Sequence, residues 1–464
     1  MAARQMSFYR TLTRRFLAPA YDRIRGTRSV RSLGELEQSQ WWARERIEDL
    51  QAQRLQHLVR YVYDRVPYYR HIMNERGISP ADIARPSDLP QLPVLTKEDI
   101  RTRSSELIAE GFPRSQLVEG HTGGSTGTPL CFVASREGRW THGYARSMRA
   151  LEWAGLYPGD RTCLVAKGRL PDSARSSLLE ALSRHFSRDT FIDCSTFTDA
   201  TLPLAVERIA RAKPSALRGY TSAICIIGEH IRDTGRAAPD IGVIVVGGEQ
   251  LFDEQRELLH QVFGSQPFSC YSSFENFEIA MECEAHEGMH VNAEDLIVEI
   301  VDDSGRPLPP GQSGHVLVTN LHEYGMPLIR YNTDDESFLL DGACPCGRQL
   351  PRIGAVTGKT GNIIYTPSGK RLSPLTLGSS SLGPMGVRRF QFIQEKIDHV
   401  TVKLVPGPGL SSDEVDALPS RVATHFGYTL GPEVNVDVQV VEKIEPTAAG
   451  KHLFLISKIG DKNA

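Results

Sequence analysis

Apolar positions between about Leu33 and Arg65 recur at helical spacing, with Leu50, Leu55, Leu58, Val59 and Val62 on one predicted buried face. Val66-Pro67-Tyr68-Tyr69 ends that run, because proline cannot continue the helical ladder. Pro86 to Leu95, with Pro90 and Pro93 inside it, reads as a loop leading to a short helix near Lys97. The pattern then changes to short apolar runs alternating with longer amphipathic ones. Thr162–Ala166, Ile241–Val246 and Ser269–Ser273 predict strands, while Ser177–His185, Leu202–Ala212, Thr221–Thr234 and Asp253–Phe263 predict helices. That alternation argues for an α/β unit whose helices cover a largely parallel sheet. From Leu296 the chain turns strand-rich. Leu296–Val301 and His315–Thr319, separated by Gly305 and Pro307 to Gly314, suggest a meander with barrel-like character. Strands near Phe390–Gln394, His399–Leu404 and Val434–Val441 around a helix near Ser412–Phe426 form a last α+β pattern. The predicted organisation is a large unit over 1–357, opened by a helical lead-in over 1–100, and a small C-terminal domain over 358–464.

A chain of 464 residues is too long for one ordinary core, which agrees with two units. Its 40% hydrophobic and 23% charged residues are those of a soluble globular protein, and the net charge of −3 gives no reason to expect a nucleic-acid partner. No apolar run approaches a membrane span. Met1 to Arg31 lacks the apolar centre of a secretory signal but places Arg4, Arg10, Arg14, Arg15, Arg23, Arg25 and Arg28 among Phe8, Tyr9, Leu12, Phe16, Leu17 and Tyr21. The favoured expectation is a helix packed on the main body with a solvated basic face. A helix lying on an anionic membrane is the alternative. Eight cysteines, scattered except for Cys344-Pro345-Cys346, suggest a reducing cytoplasm rather than a disulfide framework.

The first chemical signal is Thr122-Gly123-Gly124-Ser125-Thr126-Gly127-Thr128-Pro129. Its glycines let backbone N–H groups approach an anion, and its hydroxyls add neutral donors, so the loop suits a polyphosphate. It lacks the Gly-Lys-Ser/Thr ending of a Walker loop, so the cation must come from elsewhere. Tyr271-Ser272-Ser273-Phe274-Glu275 places a carboxylate just after a predicted strand, where ligands of α/β sheets collect. Pro327 to Asp335 ends a strand with two acids, and Glu445 to Lys451 puts a lysine after a glycine near the C-terminus. Each is weak alone.

Together and in this order, these segments resemble the adenylate-forming ligases, and within them the phenylacetate-CoA ligase family and its capsule-biosynthesis (CapK-like) relatives. Val66-Pro67-Tyr68-Tyr69-Arg70, Leu92 to Ile100 with Lys97, Leu217 to Ser222 and Val246-Gly247-Gly248-Glu249 extend the resemblance over nearly the whole chain. The resemblance implies ATP-dependent, AMP-forming activation of a carboxylic acid, aromatic or otherwise hydrophobic, followed by transfer to coenzyme A. It implies that Thr122 to Thr128 cradle phosphates, that Glu275 holds Mg²⁺, and that Gly248 and Glu249 border the adenine or acyl pocket. By the same resemblance Tyr271, Ser272 and Lys359 would belong to the nucleotide site, and Asp335 would accept ribose hydroxyls. Lys451 would be the mobile cation, brought in by rotation of the small domain about a hinge near Gly361 and Asn362. The departures are Ser272 and Phe274 where glycine and Ser or Thr are usual, and Asp334 in place of a glycine. In the hinge, Lys359 stands for an arginine, and Gly361 and Asn362 stand for two acids. Two other readings remain: transfer to an amine or hydroxyl, and a catalytically silent nucleotide-binding homologue. Homodimerisation is also expected as an option.

Cys283, His290, Cys344 and Cys346 form a second constellation on either side of the strand meander. Three thiolates and one imidazole would make a closed, structural zinc site, with His286 as the rival fourth ligand. Some members of the resembled family carry a similar arrangement.

Overall fold

The computed structural model describes residues 8–121, 131–166, 188–194, 197, 200–357, 364–368, 371–372, 382, 385–407, 409–445, 453 and 455–459. The expected helix Ser177–His185 and the expected boundary at 357/358 fall on or beside residues outside that set.

The lead-in is helical but more divided than its periodicity predicts. Phe8–Leu12, a π turn over Thr13–Leu17 and Ala18–Arg25 run on continuously until Gly26, whose φ of 68° ends the run. Ser29–Ser39 and Arg44–Arg65 follow as separate helices, so the single helix predicted from Leu33 to Arg65 is broken, with Ala43 extended at φ −58°, ψ 148°. No glycine or proline marks this break. Tertiary contacts set it: Gln40 Oε1 accepts Trp153 Nε1 at 2.8 Å and Arg348 Nε at 3.1 Å. The buried face of the second helix runs through Ile47, Gln51, Leu55, Leu58, Val59 and Val62, and Leu50 sits at its margin. Gln51 tolerates burial because its amide donates to the carbonyls of Ala293 and Leu296. Pro67 closes this helix as expected and also opens the next, Pro67–Arg76, where a first-turn proline loses no hydrogen bond. Inside the expected loop, Pro86–Gln91 forms a short 3₁₀ turn, and Lys97–Leu107 starts at a Thr96/Asp99 capping box.

A ribbon of β1 (Leu117–His121) and β2 (Cys131–Ser135) precedes the main sheet. In that sheet β3 (Thr162–Ala166), β4 (Asp189–Asp193), β5 (Ala216–Tyr220), β6 (Val243–Gly247) and β7 (Pro267–Ser273) are parallel in the order β4-β3-β5-β6-β7. The helices Leu202–Ala212, Thr221–Thr234 and Asp253–Phe263 lie at their predicted bounds. Helix Thr221–Thr234 buries Ile224, Ile227 and Ile231 on the sheet, each contributing roughly 1.5–3 kcal/mol of transfer energy. The sheet is only half parallel. Beyond β7 it continues antiparallel through β8 (Phe277–Glu282) and β9 (Met289–Val291).

The meander forms a three-stranded antiparallel sheet of β10 (Leu296–Val301), β11 (Gly314–Asn320) and β12 (Tyr331–Ser337). β13 (Leu339–Leu340) and β14 (Arg352–Ile353) return to the main sheet beside β9. β15 (Ile364–Tyr365) and β16 (Arg371–Leu372) make a small hairpin. The last part pairs β17 (Val387–Lys396), β18 (His399–Pro406), β19 (Asn435–Val440) and β20 (Leu455–Ser457) in the order β19-β18-β17-β20. Helix Ser412–Leu430 covers this sheet, packing Leu418, Val422 and Phe426 on Phe392, Val400 and Val402 as a separate core. Arg388 and Arg389 of β17 pair with Glu229 on helix Thr221–Thr234, joining this core to the main body. Among the described residues, no helix is long and apolar enough to cross a membrane.

Candidate active site

A cavity of about 1130 Å³ opens at the carboxyl ends of β3, β5, β6 and β7. Glycines let those strands finish close together. A Cβ on Gly219 would lie 1.9 Å from the Val165 carbonyl oxygen, and one on Gly247 would meet the Cys270 oxygen at 2.8 Å. Gly248 turns at φ 74°, with the Tyr220 ring 3.1 Å from where its Cβ would be, so a side chain here would press on that ring. Glu249 follows, and its Oε2 accepts the Ser222 N–H at 2.8 Å. That carboxylate therefore caps the N-terminus of helix Thr221–Thr234, where the helix dipole favours negative charge.

β12 supplies the opposite wall. Tyr331, Thr333 and Asp335 line the cavity at alternate positions, as a strand places them. Between Asn332 and Glu336 this strand carries two more residues than β11 opposite, which bulges it. Asp334 sits in the bulge at φ 60°, a left-handed conformation in which glycine is at ease. Its own contacts hold it there: Lys97 Nζ reaches Asp334 Oδ2 at 2.6 Å and the Thr333 carbonyl at 2.7 Å. The bulge presents Asp335 to Tyr271, whose hydroxyl donates to Asp335 Oδ2 at 2.8 Å. Tyr331 donates likewise to Glu275 Oε1 at 2.9 Å. Burial, then the neighbouring carboxylate, pushes both phenols well above their usual range, so they act as neutral donors at working pH.

Thus Gly248, Glu249, Tyr271, Ser272, Glu275 and Asp335 border one cavity, although they are spread over 88 positions of the chain. Thr122, Gly123, Gly124, Ser125, Thr126, Gly127, Thr128, Lys359 and Lys451 lie outside the described residues.

Residues 364–458 match the CapK C-terminal domain family. The chain is 29% identical over 333 residues to a phenylacetate-coenzyme A ligase of Thermus thermophilus, covering 69% of this chain and 72% of that one. It is 24% identical to the Aromatoleum evansii phenylacetate-coenzyme A ligase, over 90% of this chain and 96% of the relative. The chain is thus similar to phenylacetate-coenzyme A ligases over most of its length and to the CapK C-terminal family over its last part. A solved 2-hydroxyisobutyryl-CoA ligase in its postadenylation state shares the fold, with a TM-score of 0.73, 19% identity and 88% of each chain covered.

Two further groups at this site carry no signal in the sequence. Tyr331 follows an arginine at the end of an apolar run and looks like core, yet it orients Glu275. Arg139, in the π turn Gly138–Gly143 after β2, donates through Nη1 to the Phe274 carbonyl at 2.8 Å and lies over the Phe277 ring. It steadies the turn over Phe274, Glu275 and Asn276 between β7 and β8, and nothing in its local sequence signals that. Phe274 itself is 53% exposed at the cavity mouth.

The second constellation is also brought together. Cys283, His290, Cys344 and Cys346 place their ligand atoms within 4.8 Å of one another. Cys283 Sγ is 3.7 Å from Cys344 Sγ, and His290 Nε2 is 3.2 Å from Cys346 Sγ. The Leu350 carbonyl, 3.3 Å from His290 Nδ1, orients the ring. Burial pushes His290 down to about 4, so its imidazole is neutral, the form that binds metal. His286, the rival, turns away to Glu282 at 3.0 Å.

Proposed function

We propose that this chain activates a carboxylic acid with ATP, releasing pyrophosphate, and passes the acyl group from the acyl-adenylate to coenzyme A. The observation that carries this reading is the convergence of Gly248–Glu249, Tyr271–Glu275 and Asp335 on one cavity at the sheet's carboxyl edge. Asp335, whose Oδ2 accepts from the Tyr271 hydroxyl, is assigned the ribose hydroxyls. Glu275, oriented by Tyr331, offers the hard oxygen that Mg²⁺ requires, and the metal supplies charge neutralisation on the phosphates when bound. Thr122 to Thr128 are assigned the phosphate cradle and Lys451 the cation that meets the α-phosphate, on a small domain over 358–464 that moves between half-reactions. Leu164, Val245 and Phe277 give the cavity an apolar wall, which suits an aromatic or hydrophobic acid.

ATP–pyrophosphate exchange across a panel of carboxylic acids tests the first half-reaction. Exchange with at least one hydrophobic acid is expected, and its absence from folded, ATP-binding protein would refute adenylation. AMP release should then depend on coenzyme A. Release driven by amines or alcohols without it would replace the thiol acceptor with the alternative one.

The thiolate–imidazole cluster is assigned a structural Zn²⁺. Its 3.7 Å sulfur–sulfur separation fits the edge of about 3.8 Å that follows from tetrahedral Zn–S bonds of about 2.3 Å. One zinc per chain by elemental analysis, lost in Cys344→Ser together with thermal stability, is the expected result. A wild-type protein purified without chelator and free of zinc would overturn it.

A further inference from the structure

The helical run from Phe8 to Arg25 lies with polar groups against the protein and apolar groups outward, the reverse of an ordinary packed helix. On its inner side, Arg10 clasps the Asp160 carboxylate at 2.5 and 2.7 Å and lies over the Tyr157 ring. Arg14 pairs with Glu37, and Arg188 lies over Tyr9. Asp22 is buried, accepting from Thr27, Ser29 and the Val30 N–H. On its outer side, Phe8, Phe16 and Ile24 are 82%, 64% and 57% exposed. With Leu12 and Ala20 between them they form a ridge of every fourth residue. The wider π turn at Thr13–Leu17 offsets the drift that a straight α-helix gives such a repeat.

This ridge has a cationic rim. Arg15, Arg23 and Arg28 are exposed along it, and Arg31 follows, paired one turn on with the exposed Glu35. Residues 8–34 hold seven arginines and one acid, the inward-facing Asp22, in a chain whose net charge is −3. Positive charge is therefore concentrated on this edge of an otherwise acidic protein.

We propose that this face docks on an anionic lipid surface, with Phe8, Phe16 and Ile24 at the headgroup–acyl boundary and Arg15, Arg23 and Arg28 at the headgroup phosphates. Apolar ridge and basic rim are the two attractions an interfacial helix combines. A second copy fits less well, since a two-fold contact would set one arginine rim against another. The sequence alone favoured a helix with a merely solvated basic face. The helix does pack on the body, but the outward face also carries the apolar ridge.

Flotation of the full chain with vesicles tests the proposal. Vesicles containing phosphatidylglycerol should bind about tenfold more protein than pure phosphatidylcholine, and 0.5 M salt should remove about that gain. Phe16→Asp with Ile24→Glu should lower binding about tenfold, Phe16→Leu should keep it, and all variants should melt with the wild type because these side chains are exposed. Protein that stays unbound at every composition, or that floats unchanged in the double variant, overturns the proposal. A dimer in sedimentation that Phe16→Asp dissociates would assign the face to a second copy and overturn it equally.

Discussion

Glu294 and Asp295, just before β10, are gripped by guanidinium groups, whereas Glu275 and Asp335, at the cavity, are each held by a tyrosine hydroxyl. Arg149, fully buried, donates to both oxygens of Glu294 and to Asn292. Arg146 and Arg54 reach Asp295 at 3.3 and 2.7 Å. These pairs tie helix Tyr144–Trp153 and the lead-in to the strand meander, and they leave little negative charge over. The phenols of Tyr331 and Tyr271 orient their carboxylates without neutralising them. A carboxylate meant for a metal or a ribose needs direction that leaves its charge available. One meant for the fold needs full compensation once it is buried.

The largest expected effect breaks the first arrangement. Arg149→Ala strands Glu294 in the core and should cost roughly 3–5 kcal/mol in denaturant unfolding, with activity lost in step with folding. Asp335→Asn should leave unfolding within about 0.5 kcal/mol of wild type while weakening ATP binding about ten- to hundredfold by calorimetry. If the two variants behaved alike, the distinction between the clusters would fall.

A subtler probe lies where the arginine cluster meets the lead-in. Burial, then Glu37 beside it, pushes the Glu152 carboxyl up to about 8 from 4.5. The native chain thus holds a proton that the unfolded chain releases. The associated stability is full below about pH 4.5 and is lost as pH rises toward 8. Glu152→Gln should flatten stability against pH in that window by roughly 2 kcal/mol. Urea midpoints at pH 5 and pH 8 read it, and an unchanged difference would show that Glu152 is ordinary.

Much of this was readable from the sequence where local patterns and tertiary demands agree. Helices Thr221–Thr234 and Asp253–Phe263 have apolar faces at helical spacing and stop at Gly235 and Gly264, both left-handed. The break at Gln40–Ala43 was not readable, because distant partners, Trp153 and Arg348, make it. β12, Tyr-Asn-Thr-Asp-Asp-Glu-Ser, has no apolar alternation to announce a strand, since its cavity-facing positions serve a polar wall. At the site, the ordered motifs pointed to Glu275 and Asp335. The phenols that orient these acids differ in legibility. Tyr271 sits inside a motif, whereas Tyr331 reads as core.

The most direct measurement is ATP–pyrophosphate exchange over a magnesium titration, for the wild type and for Glu275→Gln in protein shown to be folded. The account predicts exchange that requires an added carboxylic acid, with the variant needing about tenfold more magnesium for half-maximal rate. Superimposable magnesium curves, or no exchange with any acid despite ATP binding, would contradict it.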